Sequence, residues 1–369
     1  MKFGREIEDR ASEVLLDILR KIPGVLSEIP GLEADSKKMV WREKGHPSDR
    51  GYDLRMLVTE NQREWEIRAE VKTVGHPKQV RETAFWLKRS IERTQSNRKV
   101  YPIFIAPYLS PEASSICEEE GIGYLDLSGN CHLAFGGVYI DIQGQPNQFK
   151  DDRTLKSLYS PKAERILRVM LANPIRPWKV QELADECGVS LGLVSKVRNL
   201  MLEREWAKDS GDGVEVFNPE TVLRIWQTER PRNRDHLREY FTLDRPGPFE
   251  EKISSSVAAL GLKGALTGLA AAARLAPMSR YLKTWVLVED IDAFAESLEL
   301  KRVNTGANVV LIQPADAGLF YGIRQVGSIP VVCPVQVYLD LIAGGGRWEE
   351  AADALLNQVI KKEWTRKTA

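Results

Sequence analysis

Between Lys179 and Phe217 the apolar positions change period once, and the change defines a set of elements. Val180, Leu183 and Ala184 recur at helical spacing, and Gly188 stands where that helix must stop. A positive φ is cheap there only for glycine or asparagine. Val189 plugs the turn and Ser190 is a natural N-cap. A second helix then buries Leu193, Val194, Val197, Leu200 and Met201 at i, i+3, i+4 spacing. Beyond it the period falls to two. Trp206-Ala207-Lys208 and Val214-Glu215-Val216-Phe217 alternate around a glycine-rich tip, Asp209 to Gly213, which predicts a β-hairpin.

Helix, turn, helix and two-stranded wing in that order resemble a winged helix-turn-helix, and small Ala184, Gly188 and Val194 match its pattern. The outward face of the second helix offers Ser190, Ser195, Lys196, Arg198 and Asn199, side chains suited to phosphates and base edges. With Lys208 on the wing they are the candidate DNA-binding residues, and double-stranded DNA is the expected partner. A plain helical hairpin or a protein-docking module would carry the same pattern. Pro161 to Ala172 reads as the first helix of this domain, and Pro177-Trp178-Lys179 as a short strand pairing with the wing. Arg165 and Arg168 on that first helix are expected to be solvated surface charges. Arg230 to Arg238 is locally basic and reads as a backbone-following arm or a solvated hinge.

Upstream, residues 5 to 21 carry an amphipathic helical stripe and Pro23 to Ser36 is loop-rich. Tyr52 to Val58 and Glu64 to Lys72 then read as paired strands. A helix from Pro77 to Glu92 follows, with a strand at Val100 to Ala106, a helix from Pro111 to Glu120 and a strand at Gly123 to Leu127. The pair His132 to Phe135 and Val138 to Ile142 closes an α/β domain. Glu70 and Lys72, two apart, share one face of their strand. With Asp53 alongside, two carboxylates would hold Mg²⁺ while the lysine orients water or stabilises phosphate charge, the parts of metal-assisted phosphodiester hydrolysis. This Asp…Glu-x-Lys arrangement resembles the PD-(D/E)XK nuclease superfamily, and so does a leading helix whose Glu13 would be an accessory ligand. The surroundings of Asp53 (HPSDRGYD) depart from that family's first motif more than the Glu-Val-Lys does. If the site is live, Asp53, Glu70 and Lys72 are catalytic, and Asp53 and Glu70 are the metal ligands.

A second resemblance rests on longer stretches. Pro102-Ile103-Phe104-Ile105-Ala106-Pro107-Tyr108-Leu109-Ser110-Pro111-Glu112-Ala113 and Glu119-Glu120-Gly121-Ile122-Gly123-Tyr124-Leu125-Asp126-Leu127-Ser128-Gly129-Asn130 are similar to AbiEi-family proteins. These are the antitoxin and transcriptional-regulator half of type IV toxin–antitoxin systems. Pro334-Val335-Gln336 with Tyr338 to Leu341, and Gly344 to Leu355, also look like the end of such regulators. The resemblance implies sequence-specific DNA binding, a homodimer on an inverted repeat, and a toxin or defence partner. It requires no cofactor. Asp126, Ser128 and Asn130 read as a structural strand-end turn.

The last third predicts a further α/β domain. A helix from Glu250 to Leu260 precedes strands at Thr284 to Val288 and Val309 to Gln313, the apolar run Ile329 to Leu341, and an amphipathic helix from Arg347 to Lys362. Ala265-Leu266-Thr267-Gly268 followed by Ala271-Ala272 is faintly like the glycine motif of nucleotidyltransferase folds. The Gly-Ser pair that should precede the metal carboxylates is missing, and Asp290-Ile291-Asp292 more simply caps a helix. Val257 to Pro277, the most apolar stretch, is broken by Lys263 and Arg274 and reads as a buried helix rather than a membrane span.

Composition refines this without redirecting it. Fifty-two basic side chains balance 52 acidic ones, so no global field announces nucleic acid and a local basic patch must bind it. The four cysteines form no CxxC pair and suggest a reducing compartment; the four histidines are dispersed, and their spacing predicts no zinc site. The amphipathic start is no signal peptide, so the expected place is the cytoplasm, with no membrane partner. The expected architecture is a multidomain α/β chain. It comprises a restriction-endonuclease-like domain (residues 1–146), a winged helix-turn-helix domain (147–240) and a C-terminal α/β domain (241–369), the last with its faint nucleotidyltransferase echo.

Overall fold

A computed structural model describes residues 32–34, 40–41, 52–60, 62–92, 98–149, 158–229, 235–276 and 281–365. The expected helix at 5–21, Glu13, most of the segment before Asp53, the middle of the 144–160 stretch and residues 230–234 lie outside the described residues. The chain divides into two units, 1–151 and 152–369, each with its own packing.

The first unit is built on one sheet of eight strands among the described residues, in the order β1-β3-β4-β5-β6-β7-β8, with β2 also on β3. These are β1 (Leu32–Ala34), β2 (Val40–Trp41), β3 (Leu54–Glu60), β4 (Arg63–Val71), β5 (Lys99–Ala106), β6 (Gly123–Asp126), β7 (Cys131–Phe135) and β8 (Val138–Ile142). Strand β1 falls inside the stretch expected to be a loop, because its three residues pair with β3. The hairpin β3–β4 is antiparallel, while β4, β5 and β6 run parallel. Parallel neighbours need crossover connections. Helices α1 (Pro77–Glu92) and α2 (Pro111–Glu119) supply them. Alternation sorts the side chains onto two faces. Leu54, Met56, Ile67, Ala69, Ile103 and Leu133 cluster on one. Phe104, Ala106 and Tyr124 on the other pack beneath Val80 and Ala84 of α1 and Ile116 of α2.

The second unit begins with α3 (Pro161–Ala172), α4 (Val180–Cys187) and α5 (Leu191–Glu203). A hairpin of β9 (Ala207–Asp209) and β10 (Val214–Val216) follows, then α6 (Pro219–Glu229). Its seven-stranded sheet, counted over the described residues, has the order β14-β11-β15-β13-β12-β17-β16. Those strands are β11 (His236–Phe241), β12 (Gly264–Thr267), β13 (Thr284–Val288), β14 (Lys301–Arg302), β15 (Val309–Gln313), β16 (Arg324–Val326) and β17 (Ile329–Val331). Between and after them come α7 (Pro246–Leu260), α8 (Gly268–Leu275), α9 (Ile291–Ser297), α10 (Pro334–Gly344), α11 (Arg347–Leu355) and α12 (Lys361–Thr365). One hydrophobic cluster runs through all of it, from Leu167 and Val194 to Val286, Tyr338 and Trp364. Each fully buried Leu or Val in such a cluster contributes about 1.5–3 kcal/mol over exposure.

Several sequence expectations change here. The apolar stretch from Val257 is helix, strand and helix, not one buried helix. Its centre, Gly264–Thr267, is buried on both faces and bonds to β13 and β17. A strand buried on both faces is a continuous apolar run, which periodicity cannot tell from a buried helix. Of the basic stretch 230–238, His236–Arg238 is neither arm nor hinge: it pairs with β15, and Arg238 is ion-paired to Asp292.

Arg165 and Arg168 are not solvated either. Arg168 is wholly buried, and Arg165 donates to both carboxylate oxygens of Asp316, at 2.7 and 3.0 Å. Arg165 faces Asp316 at the start of the 3₁₀ turn Ala317–Phe320, and Arg168 faces Gly318 of that turn and Gln336 of α10, all more than 140 residues away along the chain. No helical wheel contains them. The reading of Asp290 as a cap holds, its carboxylate accepting from the Ala293 N–H at 3.0 Å.

Candidate nucleic-acid interface

The segment Lys179–Phe217 folds as its periods dictate. Gly188 ends α4 in the left-handed region, φ 61°, and its N–H bonds back to Asp185. The Ser190 hydroxyl accepts from the Leu193 N–H at 3.4 Å and starts α5. Trp178 exchanges both backbone hydrogen bonds with Val214, each 2.9 Å, a single β-bridge beside the two-stranded hairpin in place of the short strand expected there. Gly213 permits that approach: a Cβ there would lie 2.7 Å from the Trp178 backbone. Leu183, Ala184, Val194, Val197, Met201 and Val214 make the core between the helices and the hairpin.

The six candidate side chains lie on α5, its cap and the hairpin, and they are not equivalent. Ser190, Lys196 and Asn199 are exposed, and Ser195 is half-buried. Arg198 is committed: its guanidinium is ion-paired to Asp209 on β9 and also reaches the Asn199 side-chain oxygen at 3.4 Å. The Gly211 N–H, more than Arg198, holds the Asp209 carboxyl below the usual carboxylate range. Lys208 sits opposite Glu215 in the hairpin register and pairs with it at 3.3 Å. Sequence reasoning missed both acids. The hairpin alternation could have found Glu215, but Asp209 meets Arg198 only because α5 packs against the hairpin. The face therefore offers one exposed lysine, neutral hydroxyl and amide groups, and two cations already paired with acids.

In the first unit the structure brings together the three residues read as a hydrolytic set. Register Leu54↔Ala69, continued by one residue, sets Asp53 opposite Glu70. The Asp53 N–H bonds to the Ala69 carbonyl at 2.9 Å, and one carboxylate oxygen accepts from the Val71 N–H at 2.9 Å. Glu70 is ion-paired with Lys72, and both side chains are partly exposed. Two carboxylates at one strand end suit Mg²⁺, which takes oxygen ligands. Asp53 retains a second oxygen for that purpose, and Glu70 would share its carboxylate between the metal and Lys72. Along the same face of β4, Glu66 is buried between Arg55 at 2.8 Å and Arg68 at 2.7 Å. Burial raises its carboxyl pKa, but the two guanidinium hydrogen bonds outweigh that and hold it low.

The strand-end turn is structural, as expected. The Asp126 carboxylate accepts from the Asn130 N–H at 2.9 Å, the Asn130 amide at 2.8 Å and the Leu109 N–H at 3.1 Å. The Ser128 hydroxyl accepts from Gln148.

The geometry thus defines a mixed α/β protein with a helical pair and hairpin fused to a second sheet. Residues 215–361 match the model of a family described as transcriptional regulator, AbiEi antitoxin, type IV toxin–antitoxin system. The match begins on β10 and runs through the second sheet to α12, less than half of the chain. It contains the Pro334–Leu341 and Gly344–Leu355 stretches, whereas the 102–130 motif lies outside it. Comparison with curated proteins and with solved structures gives no match. No described helix is long and apolar enough to cross a membrane.

Proposed function

We propose that this chain is a DNA-binding transcriptional regulator of the antitoxin type, reading its operator with a winged helix formed by α3, α4, α5 and the β9–β10 hairpin. The observation that carries the reading is the order helix, left-handed glycine turn, capped helix and hairpin, lying directly against a segment that matches a family of antitoxin regulators. In this reading α5 enters the major groove. Ser190, Ser195, Lys196 and Asn199 meet DNA, and Arg198 and Lys208 exchange their acidic partners for phosphates. A homodimer on an inverted repeat fits a single reading helix per chain. A toxin or defence protein is the expected partner of the remaining surface, and no cofactor is required.

A second reading, a Mg²⁺-dependent DNA endonuclease of the PD-(D/E)XK kind, is favoured by one observation. The carboxylate of Asp53 is fixed by the Val71 N–H, and Asp53 stands opposite Glu70, which is ion-paired with Lys72. Asp53 and Glu70 would hold the ion, Lys72 would steady charge on the phosphate, and the winged helix would select the target.

One gel separates the two. Full-length protein is incubated with its own promoter DNA, with Mg²⁺ or with EDTA. The regulator gives a salt-sensitive shift without cuts, lost in the Lys196→Ala/Arg198→Ala variant. Mg²⁺-dependent cuts that vanish in Glu70→Ala make it an enzyme. Neither shift nor cuts leaves a protein partner as its ligand and overturns both.

A further inference from the structure

Away from the Asp53 set, a second cluster of ligating side chains lies on the same face of the first sheet, toward its other edge. The register pairs Tyr124 with His132 and His132 with Asp141, so these residues form one row across β6, β7 and β8. Tyr124 packs with Ile116 and Cys117 of α2, which places the helix over that row. The last turn of α2 contributes Glu118. One donor atom from each of Glu118, His132 and Asp141 lies within 4.8 Å of the other two.

The imidazole is held in place before any ligand arrives. It stacks on Tyr124, centroids 6.1 Å apart and planes at 21°, and the Tyr139 ring stands edge-on at 5.8 Å. Its Nδ1 is buried without a hydrogen-bond partner, and the nearest acid oxygen, on Asp141, is 3.5 Å away. A buried ring nitrogen left without a partner is costly, and a ligand that accepts its lone pair relieves that cost. The two acids are also positioned: the Gln143 side-chain amide donates to Asp141 at 3.0 Å and reaches Glu118 at 3.4 Å. Two carboxylates close together repel one another unless a cation sits between them.

We propose that Glu118, His132 and Asp141 bind a divalent first-row transition ion, with Zn²⁺ the best fit. One imidazole nitrogen and two carboxylate oxygens balance the charge of a divalent ion and leave a coordination position for water. Ligand distances of about 2.0–2.2 Å require the three donor atoms to close inward from a present spacing within 4.8 Å. The nitrogen donor argues against Mg²⁺ and Ca²⁺, which prefer oxygen alone. The ligands come from a helix and two strands, so no short spacing motif announces them. The site shares no residue with the Asp53 set and stands whether or not that set cleaves DNA.

The test uses the full chain, stripped with EDTA and titrated with zinc chloride against a chromophoric chelator. Wild type is expected to hold an equivalent of zinc that excess Mg²⁺ does not displace. His132→Gln and Asp141→Asn are each expected to weaken it by about ten-fold or more. Far-UV circular dichroism of the metal-free variants guards against misfolding. Asp141 lies on the surface of β8, so Asp141→Asn decides the matter if His132→Gln fails to fold. Equal zinc affinity in wild type and Asp141→Asn, displacement by Mg²⁺, or no tight equivalent in wild type overturns the proposal.

Discussion

Arg168 on α3 donates through Nε and Nη2 to the single side-chain oxygen of Gln336 on α10, at 3.1 and 2.8 Å, with no part of either residue exposed. The network continues from there. The Gln336 amide donates to Asp340 at 2.6 Å, and the other Asp340 oxygen accepts from Thr267 at 2.5 Å. Helices α3 and α10 and the end of β12 are therefore locked by a polar network as well as by apolar packing.

Removing Gln336 leaves a buried guanidinium short of acceptors. Gln336→Ala is expected to cost about 3 kcal/mol, near the low end for an uncompensated buried charge, because the Glu164 and Gly318 carbonyls remain. Arg168→Met/Gln336→Leu should lose less than the sum of the two single changes. Urea denaturation of wild type, Gln336→Ala, the two single changes and the double variant measures this. Strict additivity would refute the network.

If α5 reads DNA, Lys196→Ala should weaken promoter binding and lower the slope of log K against log salt by about 0.9 for each phosphate no longer neutralised. Asp209→Asn should act oppositely. It keeps an acceptor for the Gly211 N–H, removes the charge holding Arg198, and should tighten binding. Fluorescence anisotropy at several salt concentrations reads both. Unchanged affinity in both variants would remove α5 from the interface.

Acid should loosen the second unit partly through Asp316. Burial raises this carboxyl, but hydrogen bonds from Arg165 and the Gly318 N–H outweigh it, so the folded pKa is below its unfolded value. A depressed carboxyl contributes stability above the unfolded pKa, about 3.9, which is lost as pH falls through the folded value. Asp316→Asn should be less stable than wild type at pH 7. Below about pH 4 the gap should narrow. Melting curves from pH 7 to pH 2.5 would show it, and a constant gap would count against the ion pair.

The thiols should be inert in the folded chain. All four cysteines are free and buried, and burial pushes Cys117, Cys131 and Cys187 up to about 12. Cys333 is raised for the same reason. Iodoacetamide at pH 8 is expected to label none of them natively and all four in guanidinium, since the thiolate is the nucleophile. Native labelling read by mass spectrometry would place a cysteine at the surface.

Much of the chain was legible from local pattern. Ser190 and Gly188 bound α5 and α4 because a cap and a left-handed stop depend on a few adjacent residues. The pairing of β3 with β4 followed from alternation, while the register that sets Asp53 opposite Glu70 came from the structure. What stayed hidden was whatever a distant element supplies. Gly264–Thr267 is a strand because β13 and β17 flank it, and Arg168 is interior because Gln336 receives it. Asp209 occupies Arg198 across the gap from hairpin to helix, and His132, already opposite Asp141 in the β7–β8 hairpin, gains Glu118 only when α2 lies over that row.

By itself the sequence determined most of the helices, strands, caps and turns, because hydrogen bonding within a segment and its apolar period are local properties of neighbouring residues. Only the tertiary structure decided which charges are buried, which are paired and which remain free to bind. A side chain's solvation is set by the elements packed against it, and those come from far along the chain.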